Sequence, residues 1–466
     1  MFRAFGHIIV FWLVSLAVTA CQPPITDTDG AKPNPPSEPV AFDLNDVSIL
    51  LPPPTSPDDP ILSIADLGFD GSSVWPDDAF AQFQAIANSE AGAVAAADVA
   101  NNPNGARIDI SAFADKAVWH VAAIRVDPGA PGLSPEIAAA FGQAPQLRLV
   151  LQPVTAGAKV HDVAAHLIYS YTAGAALVPG CPLPRLEPDR DRFQRVVDDL
   201  ASIKSRLAAG EIGDETVDTG GPLGVHPAAD PAKTGRVTRA AFMDELKAFL
   251  EAHLDPTKLR AMAIMGLPGG GQPEPWIFLA MAMEPRLQRF VPLPAPALAQ
   301  DSQRFAQMLD ARRSASSNPS VSPAARANNL NAVTCAFEVG ADHPSGATPP
   351  ATPRGVSTAE LFPNGDATRM REIVDVIADP ARAHFFNTDC VSCHTETRRE
   401  MDLLRTTRID APVDPDVLPT ELWNVRNFGW FPSFLNPGVP RATATRRTAA
   451  ETKEVVGALN ALLKER

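Results

Sequence analysis

Proline limits this chain more than any other residue. It occupies 47 of 466 positions, and each copy fixes φ and removes a backbone donor, ending helices and excluding central strands. The prolines cluster in connections. Short elements joined by long, stiff loops are therefore expected, and not a long-helix protein. A hydrophobic share of 45% still allows a proper core. The length suggests two or three domains.

One stretch carries specific chemistry: Phe385-Phe386-Asn387-Thr388-Asp389-Cys390-Val391-Ser392-Cys393-His394. It holds one C-x-x-C-H. Two thiols one helical turn apart can each form a thioether with one vinyl group of haem, and the next imidazole is carried under the iron as proximal ligand. A thioredoxin-type site would need a βαβ context, and a zinc site further ligands at short range. No Cys or His follows His394. The segment resembles the c-type cytochromes, and the resemblance covers the C-terminal quarter. It implies one covalent haem c on Cys390, Cys393 and His394.

The start reads as an export signal. Arg3 and the amino terminus precede an apolar run from Ile8 to Val18, too short for a resident membrane helix. The run ends in Val18-Thr19-Ala20-Cys21, which resembles the lipobox of bacterial lipoproteins. That resemblance implies cleavage before Cys21 and acylation of this cysteine, with several chains giving a stable anchor. Gln22, in place of the Asp associated with retention at the inner membrane, implies the periplasmic face of the outer membrane. Residues 22–42 are rich in Pro, Asp and Ser and read as a tether.

The formal charge of −14 argues against nucleic acid and against electrostatic adhesion to anionic lipid. It mildly favours a basic or neutral redox protein as partner. Cys181 and Cys335 are left over, an even pair in an oxidising compartment, and suit a disulfide. The bridge would close a loop of more than 150 residues, with about 5 kcal/mol as the ceiling of its stabilisation. Two separate thiols are the alternative.

Between residues 43 and 340 the patterns alternate without a repeat. Strands are expected over Asp46–Leu51, Ala117–Val126, Gln146–Val154, Val163–Thr172, Leu259–Met265 and Trp276–Met283. The last two flank Gly269-Gly270-Gly271 as a hairpin. Helices are expected over Asp191–Leu207, stopped by Gly210, from a cap at Thr238 to Asp255-Pro256, and over Gln300–Arg312. Together these read as one α+β domain with a largely antiparallel sheet. His161 and His166 share neither a strand nor a helix face in this reading, and Met262, Met265, Met281 and Met283 read as core.

The domain boundary falls in the Ser/Pro/Gly-rich stretch 338–357. The expected order is signal 1–20, lipidated tether 21–42, α+β domain 43–340 and haem domain 341–466. In the last, a helix from Asp366 to Ala378 precedes the motif, and a capping box at Thr448-Ala449-Ala450-Glu451 opens a final helix. One helix ahead of the motif and one at the end resemble the small class I cytochrome c fold, which implies a mostly α-helical C-terminal domain. Class I proteins place a distal Met well downstream, and this chain has neither Met nor His after Met401. Four readings are open for the sixth position of the iron: Met401, His384, a donor from the first domain, or an open or water-bound site.

These features point to an exported, lipid-anchored monohaem c-type protein of periplasmic electron transfer. A haem enzyme with an open iron, peroxidase-like, is a second reading, although the dihaem peroxidases carry two such motifs. A binding lipoprotein whose haem senses redox state or gas is a third.

Overall fold

The computed structural model describes residues 40–98, 110–129, 144–176, 185–266, 277–284, 287–293, 375, 378–380, 428–432 and 439–465. In chain order the elements begin with helix α1 (Leu44–Val47) and strands β1 (Ser48–Leu50), β2 (Gly68–Phe69) and β3 (Ser72–Ser73). Helix α2 (Asp77–Asp98) leads to β4 (Trp119–Asp127), β5 (Gln146–Thr155), β6 (Lys159–Val160), β7 (Val163–Ser170), β8 (Thr172–Ala176) and β9 (Arg185–Pro188). Helices α3 (Arg190–Ala209) and α4 (Arg236–His253) precede β10 (Leu259–Gly266), β11 (Ile277–Glu284) and β12 (Arg289–Leu293). The chain closes with β13 (Phe428–Pro432), β14 (Pro440–Ala444) and α5 (Arg446–Lys464).

The centre is an 8-stranded sheet in the order β1-β4-β5-β7-β10-β11-β12, with β6 paired to β5. Every ladder in it is antiparallel. Because side chains alternate across a strand, register assigns each residue to a face. Ile124, Leu149 and Leu167 stand side by side on one face, followed by Met262 and Met281. This apolar face is covered from one side by the aromatic cluster Trp75, Phe80, Phe83 and Trp119, whose rings meet edge to face at 4.7–6.1 Å. The Trp75 indole donates to the Met262 sulfur at 3.3 Å, and the Tyr169 hydroxyl to the Val74 carbonyl at 2.8 Å. The methionines are core, with Met265 on the opposite face from Met262 and Met281.

Helix α3 forms where the apolar stripe foretells it. Phe193, Val196, Val197, Leu200, Ile203 and Leu207 are all buried, at about 2 kcal/mol of transfer free energy each. Gly210 ends it in the left-handed conformation, φ 72°, and bonds back to Arg206 and Leu207. Helix α4 begins earlier than expected. Its N-cap is Gly235, and Thr238 lies buried inside the first turn, donating to Asp214 at 3.0 Å. Two further details depart from expectation. The first strand is preceded by a turn of helix over Leu44–Val47, and the run 163–172 is split at Tyr171 into β7 and β8. The expected helix Gln300–Arg312 and the glycines 269–271 lie outside the described residues.

The C-terminal part corrects the expected fold class. The mostly α-helical, cytochrome c-like domain is not what the described C-terminal residues form. Two of their three elements are strands, paired as an antiparallel hairpin, and hairpin and helix together complete the second face of the central sheet. Gln152 of β5 accepts from the Trp430 amide at 2.6 Å and donates to the Trp430 carbonyl at 2.8 Å. The Trp430 indole donates to the Leu51 carbonyl at 2.8 Å. On α5, Thr452 meets Ser48 at 2.8 Å, and Asn460 exchanges two hydrogen bonds with the Phe42 backbone. The N-cap of α5 is Thr445, whose hydroxyl accepts from the Thr448 amide at 3.1 Å, so the helix starts one turn before the expected capping box.

The physical reason is the character of the second face. Ser48, Arg125, Arg148, Gln152 and His166 all point there, and polar groups between strands must be partnered if covered. The hairpin partners Gln152, and α5 partners Ser48 and one nitrogen of Arg125. Among the described residues the five α-helices are few beside the strands, and none is long and apolar enough to cross a membrane.

Candidate functional site on the second face of the sheet

Cys390, Cys393, His394, the candidate distal ligands Met401 and His384, the lipidation candidate Cys21 and the pair Cys181 and Cys335 all lie outside the described residues. The described chain approaches the motif from both sides, however. On the upstream side Asp375 is bound by Arg446, the first residue of α5, at 3.1 Å, and Ala378 and Pro380 are buried. On the downstream side β13 is fixed to β5 through Gln152. Gly429 is required at that junction, since a Cβ there would stand 2.6 Å from the Gln152 side-chain oxygen. Asp375 is thus tied to α5 and Trp430 to β5.

That face holds a charged cluster between β4, β5 and α5. Arg125 and Arg148 are directly opposite each other across the β4–β5 ladder. Arg125 donates from Nη1 to Oε2 of Glu451 at 2.7 Å, and Arg447 donates from Nε to Oε1 of the same carboxylate at 2.7 Å. Burial works to raise the Glu451 pKa, but Arg447 and Arg125 outweigh it and hold the carboxyl at about 2. Arg148 donates to Gln146 at 2.8 Å and lies 2.9 Å from the fully buried Asp127 carboxylate. Arg125 is 8% exposed, and its Nε and Nη2 are buried without a hydrogen-bond partner. Two orphaned guanidinium donors in such a place are costly unless an acceptor reaches them.

His166 stands on the same face, opposite Val150 and therefore diagonal to Arg148. Part of its surface is open, yet desolvation, helped by Arg148, pushes it down to about 4. The imidazole is neutral at pH 7, the form that can donate a lone pair to a metal. On the face it stands beside Ala164 and Ile168 of its own strand, with Val150 opposite it on β5 and Ala263 opposite it on β10.

The remaining titratable groups are tied up in the scaffold. Lys204 reaches Asp43 at 2.5 Å and Asp46 at 2.6 Å, joining α1 to α3. His226 is fully buried, stacked on Phe242 at 4.4 Å, and accepts from the Ala228 amide, with burial holding its pKa near 3. His253 pairs with Asp199 at 2.9 Å, His161 with Thr155 at 2.8 Å, and His120 with the Val118 carbonyl at 3.0 Å. Among the described residues no group of three or more His, Cys, Asp or Glu could hold a metal ion.

Arg125, Arg148, Glu451 and Arg447 were not anticipated from the sequence. A signal existed for the first two, which are charged residues inside apolar strand runs, AVWHVAAIRV and QLRLVLQPV. No signal linked Arg125 to Glu451, 326 residues further along the chain. No family model, curated protein or solved structure matches this chain.

Proposed function

We propose that this protein carries one covalent haem c on Cys390 and Cys393, with His394 as proximal ligand, and transfers electrons outside the cytoplasm. The observation that carries the reading is Cys390-Val391-Ser392-Cys393-His394. The donor set fits the group: two thiols in C-x-x-C spacing and an adjoining imidazole. In attachment each thiol adds across one vinyl group, its sulfur bonding one carbon and a proton the other, with no leaving group. Held by these residues, haem would supply one-electron transfer between a donor and an acceptor protein. The residue pattern Val18-Thr19-Ala20-Cys21 supports lipid anchoring at Cys21, facing the periplasm from the outer membrane, and the leftover thiols Cys181 and Cys335 would pair there.

The test is haem stain after denaturing electrophoresis of protein made with haem-attachment machinery. Stain is expected in the native chain and absent in Cys390→Ala/Cys393→Ala. A native chain that loses its haem on denaturation overturns the reading. A second reading, a haem enzyme with an open iron, is favoured by one observation, the absence of Met and His beyond Met401. Peroxide turnover by the ferric protein would support it.

A further inference from the structure

We propose that Lys204 of α3 and Asp46 of α1 condense into an intramolecular amide, with Asp43 as the base that frees the amine. This cross-link is independent of the haem reading above.

The three side chains are in direct contact. Lys204 Nζ lies 2.6 Å from Oδ2 of Asp46 and 2.5 Å from Oδ2 of Asp43. A lysine is almost never fully buried, yet the Lys204 side chain is 8% exposed and that of Asp46 3%. Lys116 also meets a carboxylate, but the side chain of that partner, Asp77, is exposed. A surface pair of that kind stays an ion pair, because water solvates both charges. At Lys204 water is excluded, and the nitrogen is held against the acyl group it can attack. Fixed proximity of this kind takes the place of a bimolecular encounter.

The two carboxyl groups have different surroundings, and these assign their roles. Burial raises the Asp46 pKa against the pull of the Lys204 charge and so favours the neutral acid, the form that can lose water. Burial also works to lower Lys204, but Asp46 and Asp43 outweigh it and keep the ammonium charged. The amine therefore needs a base. Asp43 is placed to act as one, and its side chain is 48% exposed, so it can pass the proton on to solvent. The Asp43 amide donates to Asp46 Oδ2 at 2.6 Å, and the buried Thr219 hydroxyl bonds the same carboxyl. These donors face the oxyanion that forms on attack.

The step balances without a co-reactant. Asp43 takes one proton from the Lys204 ammonium, and the free amine forms the Nζ–Cγ bond to the Asp46 acid. The Cγ–O bond breaks, and the hydroxyl leaves as water with a second proton from the nitrogen. One N–H and one carbonyl oxygen remain, and Asp43 returns its proton to solvent. A buried ion pair gives way to a neutral amide, and α1 is fixed to α3 across 158 residues of sequence.

The experiment digests the purified full chain after denaturation and maps its peptides by fragmentation mass spectrometry. The peptide holding Asp46 is expected to be joined to the one holding Lys204, lighter than their sum by one water. Trypsin is expected not to cut between Lys204 and Ser205. Lys204→Arg should return two separate peptides of full mass. Asp43→Ser keeps an N-cap for α1 and removes the base, so the linked fraction at equal times after synthesis should fall at least ~10-fold. A native digest that is cut after Lys204, with both peptides at full mass, overturns the cross-link whether or not the variants fold. Linkage mapped to Asp43, or an unchanged linked fraction in Asp43→Ser, overturns the assignment of acyl and base roles. Haem stain is unaffected by any of these results, so failure here is distinct from failure of the haem reading.

Discussion

The Gln152 side chain and the Trp430 backbone exchange two hydrogen bonds, 2.6 and 2.8 Å long, across 278 residues of sequence. The amide does for β13 what a neighbouring strand would do: it satisfies one N–H and one C=O. Its Nε2 also donates to the His161 carbonyl at 3.2 Å. Replacing it with Leu keeps the volume and orphans buried groups on both sides. Gln152→Leu is expected to lower stability by ~2–4 kcal/mol, read as the shift in a denaturant midpoint. Glu454→Ala, on the exposed side of α5, should change it by less than ~0.5 kcal/mol.

Glu451 sets an acid limb of stability. Its folded-state pKa near 2 lies below the ordinary 4.5, so the unfolded chain binds more protons in that window. The contribution is therefore complete above pH 4.5 and fades as pH falls toward 2. Glu451→Gln leaves Arg125 and Arg447 buried without a counter-charge and should cost ~3–5 kcal/mol at pH 7. Its stability should also fall less steeply than that of the native chain between pH 4.5 and 2. Equal slopes would show that folding leaves the Glu451 pKa at its ordinary value.

His226 acts at milder acidity. The ring is held neutral, with a folded pKa near 3 against an ordinary 6.5. On lowering pH the unfolded chain takes up the proton first, so this contribution is full above 6.5 and falls by ~1.4 kcal/mol per pH unit below it. His226→Asn retains an acceptor for the Ala228 amide and removes the titration. Its deficit relative to the native chain at pH 7 should shrink or reverse at pH 4.5, measured by chemical denaturation at both values.

A chain ending at residue 340 tests the joint construction of the sheet. It lacks β13, β14 and α5, and so leaves Gln152, Arg125 and Ser48 without their partners and bares apolar neighbours of Trp430. It should be insoluble or unfold without a cooperative transition. A monomeric fragment with a sharp melt near that of the full chain would mean that the first 340 residues fold alone.

Much of the sheet was legible. The runs at 117–126, 146–154 and 259–265 alternate or are continuously apolar, and the strands lie within two residues of them. Helix α3 was legible for the same reason, with six apolar residues on one stripe and a glycine stop. Helix α2 was not. Its sequence DDAFAQFQAIANSEAGAVAAAD is dominated by alanine, so no strong stripe stands out, and the two phenylalanines that matter are buried only because Trp75 and Trp119 meet them. The hairpin Phe428–Ala444 was hidden too, because Pro432 and Pro440, paired at its loop end, and Gly429 within it read as loop, while pairing of the two strands and the bonds to Gln152 make them strand.

For the proposed haem site, the sequence by itself supplied the candidate donors. Cys390, Cys393 and His394 are specified by order and spacing, because the chemistry needs adjacent donors and is therefore written locally. Tertiary structure alone decided which distant residues gather on the second face of the sheet. Arg125, Arg148 and His166 look like interruptions in apolar strands, and only register shows that they share one face. Glu451 and Trp430 meet that face through contacts spanning 326 and 278 residues. Contacts of that separation depend on the closure of the whole sheet, and no local pattern in the chain encodes them.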